Sequence, residues 1–259
     1  MFNQIKLPDS MSNVRLLSLA LSLCFAVIPP PSTPQAAGLQ DDARSLLLQS
    51  LSAMHQVHSF RAAALEVIRP SVALHTALRF RGDCLLKTSP ARGAALPLKA
   101  HLYASGTRQT VGVKTPSAVH AEYIVLSGAR NLQSWERSTR THGSWRLERN
   151  DSPIGFPRGL DASATACSGL LLQQQFQQNV LGAYTFTNRE VVQLEGSDAW
   201  RIHGEMSSAA GTSTIDFYLE PHSLRWLRID GHSYDAQSSV TTSVRNSHFG
   251  EHLNIKPPK

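Results

Sequence analysis

The closing block of the chain, residues 190–258, constrains the fold more than any other segment. Apolar and polar residues alternate there with the period of two that is typical of a strand with one buried face. Ile215, Phe217 and Leu219 point one way, while Asp216 and Tyr218 point the other. Short strands are predicted at 191–196, 200–205, 215–219 and 224–229, and the block closes with 248–258. Consecutive hairpins of this kind predict an antiparallel meander.

A hairpin turn is predicted at 220–223, where Pro221 fixes φ at the corner. The earlier half of the chain is also β-prone and is punctuated by Gly and Pro. Strands are predicted at 60–68, 72–80, 98–104, 121–126 and 144–147. The segment 85–96, which contains Pro90 and Gly93, is predicted to be a loop or an irregular edge.

Two helices accompany the strands. The first is predicted over 39–58, where apolar residues recur at three- and four-residue steps, with Asp41 and Asp42 in its first turn. Its apolar face includes Leu47, Leu51 and Met54. The second is predicted over 162–181, ends at Gly182 and carries Leu171 and Phe176 on its apolar face.

The N-terminus has the layout of a secretory signal. A polar start precedes an apolar run over 16–28, and a Pro-rich stretch with small residues follows up to Ala37. The run is too short to cross a bilayer as a helix. We therefore expect a signal and cleavage region at 1–37, with translation starting at Met1 or Met11, and a single domain at 38–259 in an extracytoplasmic compartment: periplasm, cell envelope or exterior.

Three cysteines bear on that location. Cys24 ends a lipobox-like Leu21–Cys24 segment, so lipidation and membrane anchoring are one alternative and plain cleavage is the other. In the mature chain Cys84 and Cys167 would remain, and outside the cytoplasm they are a candidate disulfide. Two free, buried thiols are the alternative reading of that pair.

Charge limits the partners. The chain has 25 Lys and Arg against 19 Asp and Glu, a formal net charge of +6, with no run of basic residues. This weak positive charge favours transient contact with anionic membrane surfaces over nucleic-acid binding, and we expect a monomer that binds no nucleic acid. The predicted fold class is α+β: a curved antiparallel β-sheet, or incomplete β-barrel, with two helical segments packed on its concave face.

Three segments resemble one family. A Gly196–Ile202 strand reads Gly-x-x-Ala-Trp-Arg-Ile, an Ile215–Arg228 hairpin reads Ile-Asp-Phe-Tyr-Leu-Glu-Pro to Leu-Arg-Trp-Leu-Arg, and Phe249–Pro258 closes the chain. With the order of helix and sheet, these segments are similar to the LolA-like superfamily, and within it to LppX/LprG-type lipid-binding lipoproteins. The resemblance implies an incomplete barrel whose apolar cavity receives the acyl chains of a lipid or an acylated protein.

Apolar side chains that face inward would line such a cavity. The candidates are Leu47, Leu51, Met54, Phe80, Tyr123, Trp135, Leu171, Phe176, Trp200, Ile202, Phe217, Leu219 and Trp226. The same residues would also make an ordinary filled core, in which case the interior would be packed rather than hollow.

No motif indicates catalysis. The sequence lacks a Gly-x-Ser-x-Gly elbow, a phosphate-binding glycine loop and a His-Glu-x-x-His helix, although a triad assembled from distant residues would leave no such trace. His55 and His58 share a face of the predicted first helix, but no Asp, Glu or Cys completes a metal site by spacing. We expect neither an enzyme nor a bound metal or other cofactor.

The sequence therefore predicts an extracytoplasmic carrier of lipid or lipoprotein acyl chains. Two alternatives stay open. One is a sensor or protein-interaction module without transport activity, like the RseB-like regulators that share this fold. The other is a structural envelope protein with a filled core.

Overall fold

A computed structural model describes most of the chain after residue 33. The described residues are 34–70, 76–89, 94–108, 115–127, 132–138, 141–150, 167, 176–187, 189–209, 211–235 and 238–258. One α-helix and twelve strands lie in these ranges: α1 Pro34–His55, β1 Ser59–Pro70, β2 Thr76–Ser89, β3 Ala94–Arg108, β4 Ser117–Ser127, β5 Leu132–Ser138, β6 Arg146–Asn150, β7 Thr185–Phe186, β8 Glu190–Leu194, β9 Ser197–Ser208, β10 Gly211–Leu219, β11 Trp226–Tyr234 and β12 Ser238–Ser247.

The helix α1 begins earlier and ends earlier than predicted. It starts at Pro34, since proline is tolerated in a first turn where its missing N–H has no helical partner. Asp41 and Asp42 consequently lie beyond the first turn. The helix ends at His55, after which the chain turns toward β1, so His55 and His58 do not share a helical face.

The strands form one curved antiparallel sheet that is built from two meanders. The first contains β1 to β6 and the second contains β7 to β12, and the two are joined where β1 pairs with β12. The order β6-β5-β4-β3-β2-β1-β12-β11-β10-β9-β7 does not close on itself among the described strands, and β8 adds to the same edge of β9 as β7. The predicted incomplete barrel is therefore present as an open, curved sheet.

The closing block forms the predicted meander. Strands β8 to β12 pair in sequence order, and the β10–β11 hairpin turns at 220–225, where Glu220 N–H donates to Arg225 O at 2.9 Å. The final segment, residues 251–258, is not part of a strand. It is tied to β1 by the Ser59 hydroxyl, which donates to Glu251 O at 2.5 Å.

The first meander differs from the prediction at two places. Of the segment 85–96, which was predicted to be a loop or an irregular edge, residues 85–89 belong to β2 and residues 94–96 belong to β3, and the pairing is irregular there. Pro97 is accommodated there because the register shifts between Leu85 and Leu86, and an irregularity of this kind tolerates a residue without an N–H. The strand β5 was not predicted at all.

The second predicted helix falls largely outside the described residues. Of the segment 162–181, the structure describes Cys167 and residues 176–181, where Gln177–Leu181 form a single π-helical turn. Two helices were predicted. In the part of the chain that the structure describes, only the first is present as an α-helix, and the second is represented by this turn.

Two faces of the sheet differ in composition. We call the face that carries Ile215, Phe217 and Leu219 the inner face, and the opposite one the outer face. The inner face belongs to the main apolar core, together with buried residues of α1. The outer face is charged, and the finish at 251–258 crosses part of it: Arg61 pairs with Glu251 at 3.6 Å, and Lys99 Nζ donates to Ile255 O at 3.4 Å.

Candidate functional site

Registers across the sheet divide the inner face into three rows that run across strands β10, β11, β12, β1 and β2. From the middle of the molecule outward, the rows are Phe217–Ile229–Val244–Ala64–Phe80, then Ile215–Gly231–Thr242–Glu66–Leu78, then Ser213–Ser233–Val240–Ile68–Thr76. Polarity rises from the first row to the third. In these rows the only ionisable side chain is the carboxylate of Glu66.

One end of the inner face is filled. Phe176 stacks on Trp226 with ring centroids 5.5 Å apart and meets Phe217 edge-on at 5.9 Å. From α1, the Ser50 hydroxyl accepts a hydrogen bond from Trp226 Nε1 at 2.8 Å. We call this region the packed end; its members are Leu47, Leu51, Met54, Phe176, Phe217, Leu219 and Trp226, all of which are buried.

The disulfide lies toward the same end. Cys84 and Cys167 are bonded, with Cα atoms 5.6 Å apart. Because Cys84 is paired with Phe60 and belongs to the inner face, the bond holds Cys167 over β2. A Cβ built on neighbouring Gly82 would lie 3.4 Å from Cys167 Sγ and would overlap Leu102, so this part of the inner face is also occupied.

The other end of the inner face is partly uncovered. Six residues of β1, β11 and β12 are half-buried there: Glu66, Ile68, Gly231, Ser233, Val240 and Thr242. On either flank, β10 and β2 are covered, since Ser213, Ile215, Thr76 and Leu78 are buried. We call the six residues the open end. Three adjacent strands span about 10 Å, so the open end is a strip between two covered flanks.

The glycines of the inner face show how much space lies above each region. A Cβ atom built on Gly204, which pairs with Ile215, would lie 2.6 Å from the ring of Phe186, so a larger residue does not fit at position 204. A Cβ built on Gly231 meets no atom of the described residues within 4 Å. The backbone of Gly231 has no positive φ that would require glycine. With respect to the residues that the structure describes, the open end therefore has unfilled volume directly above β11.

A chain of three hydroxyls borders the open end. Tyr184 Oη lies 2.7 Å from Ser213 Oγ, which lies 2.8 Å from Ser233 Oγ. Tyr184 and Ser213 are buried, whereas Ser233 is half-buried. Burial raises the pKa of Tyr184, against the smaller opposing effect of its hydrogen bond to Ser213, so the phenol stays protonated at neutral pH.

The residues predicted to line a cavity divide into three groups. Inner-face or core positions are occupied by Leu47, Leu51, Met54, Phe80, Tyr123, Phe176, Trp200, Ile202, Phe217, Leu219 and Trp226. Trp135 pairs with Ile124, which pairs with His101, and this register places Trp135 on the outer face. Leu171 lies outside the described residues, as does Cys24, the predicted alternative site of lipidation. Many of the first group pack against one another instead of bordering open space.

The residues at the open end were missed by the sequence reasoning. Gly231 interrupts a strand, and a glycine inside a strand marks either a bulge or a place where something approaches the backbone closely. That signal was available in the sequence. Ser213 and Ser233 gave none, because isolated serines in strands are common and their 2.8 Å contact exists only in the register of β10 with β11.

The outer face offers a second concavity, a groove of about 630 Å³. Its lining includes Tyr103, His120, Glu122, Arg137 and His142. Glu122 is already engaged, since His101 Nε2 lies 2.7 Å from its Oε1 and Arg137 Nε donates to its Oε2 at 3.0 Å. Burial alone would raise the pKa of Glu122, but these hydrogen bonds outweigh burial and hold the pKa below its usual value. The groove is therefore built around an internal ion pair.

A similar network stabilises the outer face of the closing meander. Asp216 Oδ1 accepts a hydrogen bond from Arg201 Nε at 2.8 Å and lies 2.8 Å from His203 Nδ1. Burial would lower the pKa of His203, but its contacts with Glu205 and Asp216 outweigh burial and raise it. Within the ranges described, no three His, Cys, Asp or Glu side chains are grouped so that they could hold a metal ion.

Helix α1 does not resemble a membrane span. Among the residues that the structure describes, no helix combines the length and the hydropathy that a bilayer crossing requires.

Comparisons with known proteins returned solved structures only. No family model matches the chain, and no curated protein matches it. A DUF1329 family protein from Desulfovibrio piger is 10% identical, with 83% of this chain and 95% of that chain covered and a TM-score of 0.32. A domain named for outer membrane lipoprotein sorting, from Vibrio parahaemolyticus, is 12% identical, with 85% and 95% covered and a TM-score of 0.27.

A LolA superfamily protein from Nitrosomonas europaea is also similar. It is 8% identical, with 83% of this chain and 95% of that chain covered and a TM-score of 0.28. The superfamily that the sequence resembles is thus present among the structural neighbours. The TM-scores of all three neighbours are low.

Proposed function

We propose that the protein binds acyl chains of a lipid or an acylated protein on the inner face of its sheet, and that the acyl chain enters at the open end. The observation that carries this proposal is the unfilled volume above Gly231, in a strip that lies between covered flanks. The strip leads to an apolar row that contains Phe217, Ile229 and Val244. An acyl chain that enters there passes from a partly polar rim to apolar side chains.

The driving force is the transfer of methylene groups out of water. Each buried methylene contributes roughly 0.8 kcal/mol, so even half of a sixteen-carbon chain would supply about 6 kcal/mol before the cost of ordering the ligand. No specific polar contact is needed for that gain. The predicted lining residues that form the packed end are the apolar floor against which the far end of the acyl chain stops.

The compartment is part of the proposal. The disulfide between Cys84 and Cys167 supports an oxidising environment outside the cytoplasm, which agrees with the signal-like layout of residues 1–37. A carrier of this kind collects its ligand at a membrane surface and holds it in water, so contact with the membrane is transient. We propose a monomer, since one sheet provides the complete strip.

The direct test is whether purified protein takes up an acyl chain. Protein prepared without detergent is analysed by native mass spectrometry and titrated with a fluorescent sixteen-carbon fatty acid. The variant Gly231→Leu fills the open volume with a side chain that the backbone tolerates, and we expect it to weaken uptake at least tenfold. The matched control is Ser243→Leu, which adds a similar side chain to β12 on the outer face and should bind like the wild type.

Several results would count against this function. The carrier proposal fails if the wild type neither co-purifies with lipid nor takes up the probe, or if folded Gly231→Leu binds as tightly as Ser243→Leu. Recovery of one stoichiometric protein partner without lipid would instead favour the sensor or interaction module.

A further inference from the structure

Two exposed arginines occupy the middle of the outer face. Arg79 and Arg81 lie two residues apart on β2, so both side chains point to the same side of the sheet, and both are exposed. Among the described residues, no carboxylate lies within ion-pair distance of either guanidinium group. Other arginines of the outer face are paired with an Asp or a Glu: Arg61, Arg201, Arg228 and Arg245.

Exposed apolar side chains flank the two unpaired arginines. Leu65 of β1 pairs with Arg79, and Tyr103 of β3 pairs with Arg81. Leu65 is 40% exposed and Tyr103 is 48% exposed. A single exposed apolar residue needs no explanation, but here two of them lie directly beside the two unpaired charges. We call these four residues the outer patch.

The outer patch lies on a part of the outer face that the final segment, 251–258, does not reach with its contacts to Arg61 and Lys99. Leu65 and Arg79 lie toward the open end, and each is next in sequence to a residue of the row that contains Gly231. Strands β1 and β2 are also in the middle of the strand order. Because the sheet curves around the core on its inner face, a flat surface that approaches the outer face meets these middle strands first.

Charge and apolar exposure together select the partner. Two neighbouring guanidinium groups repel each other, and an anionic partner removes that repulsion. Phosphate oxygens suit the planar donor fork of a guanidinium group. Exposed Leu and Tyr beside basic residues are typical of side chains that enter the interfacial layer of a bilayer. A free phosphate or an acidic protein segment would use Arg79 and Arg81 but would leave Leu65 without a role.

We propose that the outer patch docks the protein on the surface of an anionic phospholipid bilayer. Arg79 and Arg81 contact headgroup phosphates, while Leu65 and Tyr103 enter the boundary between headgroups and acyl chains. This docking rests on the proposed function, which gives the protein a reason to visit a membrane, and it adds the contact surface and the charge of the lipid. Since Glu66 of the open end follows Leu65 directly, the docked protein holds the open end near the bilayer.

Co-sedimentation with vesicles tests the two charges. The full chain is mixed with vesicles of phosphatidylcholine alone or of phosphatidylcholine and phosphatidylglycerol, at low and at high salt. We expect the wild type to bind the mixed vesicles more tightly, and high salt to remove most of that difference. Each basic residue near an anionic surface contributes about fivefold in affinity, so Arg79→Gln/Arg81→Gln should weaken binding to mixed vesicles about 10- to 30-fold.

Matched variants separate the outer patch from net charge and from general stickiness. Arg108→Gln/Arg146→Gln removes the same net charge from exposed arginines at the end of β3 and on the edge strand β6, and it should bind like the wild type. Leu65→Ser should weaken binding to mixed vesicles about threefold. Leu147→Ser changes a side chain on β6 that is also 40% exposed and should have no effect. Circular dichroism checks that each variant is folded.

Three results would overturn the docking surface. The wild type could bind neither kind of vesicle, it could bind both kinds equally, or the Arg108→Gln/Arg146→Gln control could lose as much affinity as the patch variant. Binding to polyglutamate without binding to vesicles would also overturn it and would assign the arginines to an acidic protein partner.

Uptake of a fluorescent sixteen-carbon fatty acid in solution separates this proposal from the carrier function. The patch variant should take up the probe like the wild type, because the outer patch lies on the opposite face from Gly231. If vesicle binding fails and uptake is retained, the docking surface is wrong and the carrier function stands. If the wild type binds mixed vesicles through the outer patch but takes up no probe, the carrier function is wrong and the docking surface stands.

Discussion

The packed end and the open end of the inner face are parts of the same strands, yet they are built differently. At the packed end, Trp226 and Phe217 of the sheet meet Phe176 and helix α1, so the side chains are large and fully covered. At the open end the corresponding positions are Gly231, Ser233 and Thr242, which are small or polar and half-buried. The difference suggests that one end holds the fold together while the other leaves room for a ligand.

The largest effect is expected from truncation at the packed end. Trp226→Ala removes an aromatic contact with Phe176 and the hydrogen bond to Ser50, and should lower the free energy of unfolding by about 3–5 kcal/mol. Val240→Ala at the open end should cost about 1 kcal/mol or less, since its side chain is already half-exposed. Urea unfolding at pH 7 measures both. Equal losses would mean that the two ends are packed alike.

A sharper comparison uses one substitution at two glycines. Gly204→Ala places a methyl group 2.6 Å from the buried Phe186 ring and should destabilise the protein by about 1–3 kcal/mol. Gly231→Ala enters open volume at an ordinary backbone conformation, so its effect should stay within about 0.5 kcal/mol. Thermal unfolding of both variants checks this. A large loss for Gly231→Ala would contradict the existence of the open strip.

A modest effect is expected at the chain of three hydroxyls that borders the open end. Tyr184→Phe removes one buried hydrogen bond and should cost about 1 kcal/mol at pH 7. Because the pKa of Tyr184 is raised in the folded state, the folded state holds this proton more tightly than the unfolded one. That stability is fully present below the ordinary tyrosine pKa of about 10 and is lost as the pH rises toward the folded pKa.

Unfolding free energies across the alkaline range therefore provide a second measurement on the same variant. The wild type should lose stability above a pH of about 10, and Tyr184→Phe should lose less. Some alkaline loss should remain in the variant, since the pKa values of Tyr103 and Tyr218 are raised as well. An identical alkaline loss in both proteins would show that the Tyr184 phenol is not buried as the structure has it.

Much of the sheet was predictable because its signals are local. The alternation at 215–219 and the turn at Pro221 led directly to the β10–β11 hairpin. The segment 85–96 was predicted to be a loop or an irregular edge because of Pro90 and Gly93, which lie outside the described residues. Its described residues pair as β2 and β3, with a register shift beside Pro97 that only the pairing of the two strands reveals.

The candidate site was predictable only in part. The sequence identified the large apolar residues of the inner face but not which of them border open space, and it assigned Trp135 to the inner face. The register of β5 with β4 decides that assignment, and a shift of one residue moves every side chain to the opposite face.

The amino-acid sequence by itself determined the strands of the closing block, the first helix and the apolar character of one side of the sheet, since each depends on neighbours a few residues away. Only the tertiary structure decided that β1 pairs with β12, that Cys84 meets Cys167, and that Tyr184, Ser213 and Ser233 form one chain beside an unfilled strip. These contacts join residues that are far apart in the sequence, and they form because the curvature and register of the whole sheet bring them together.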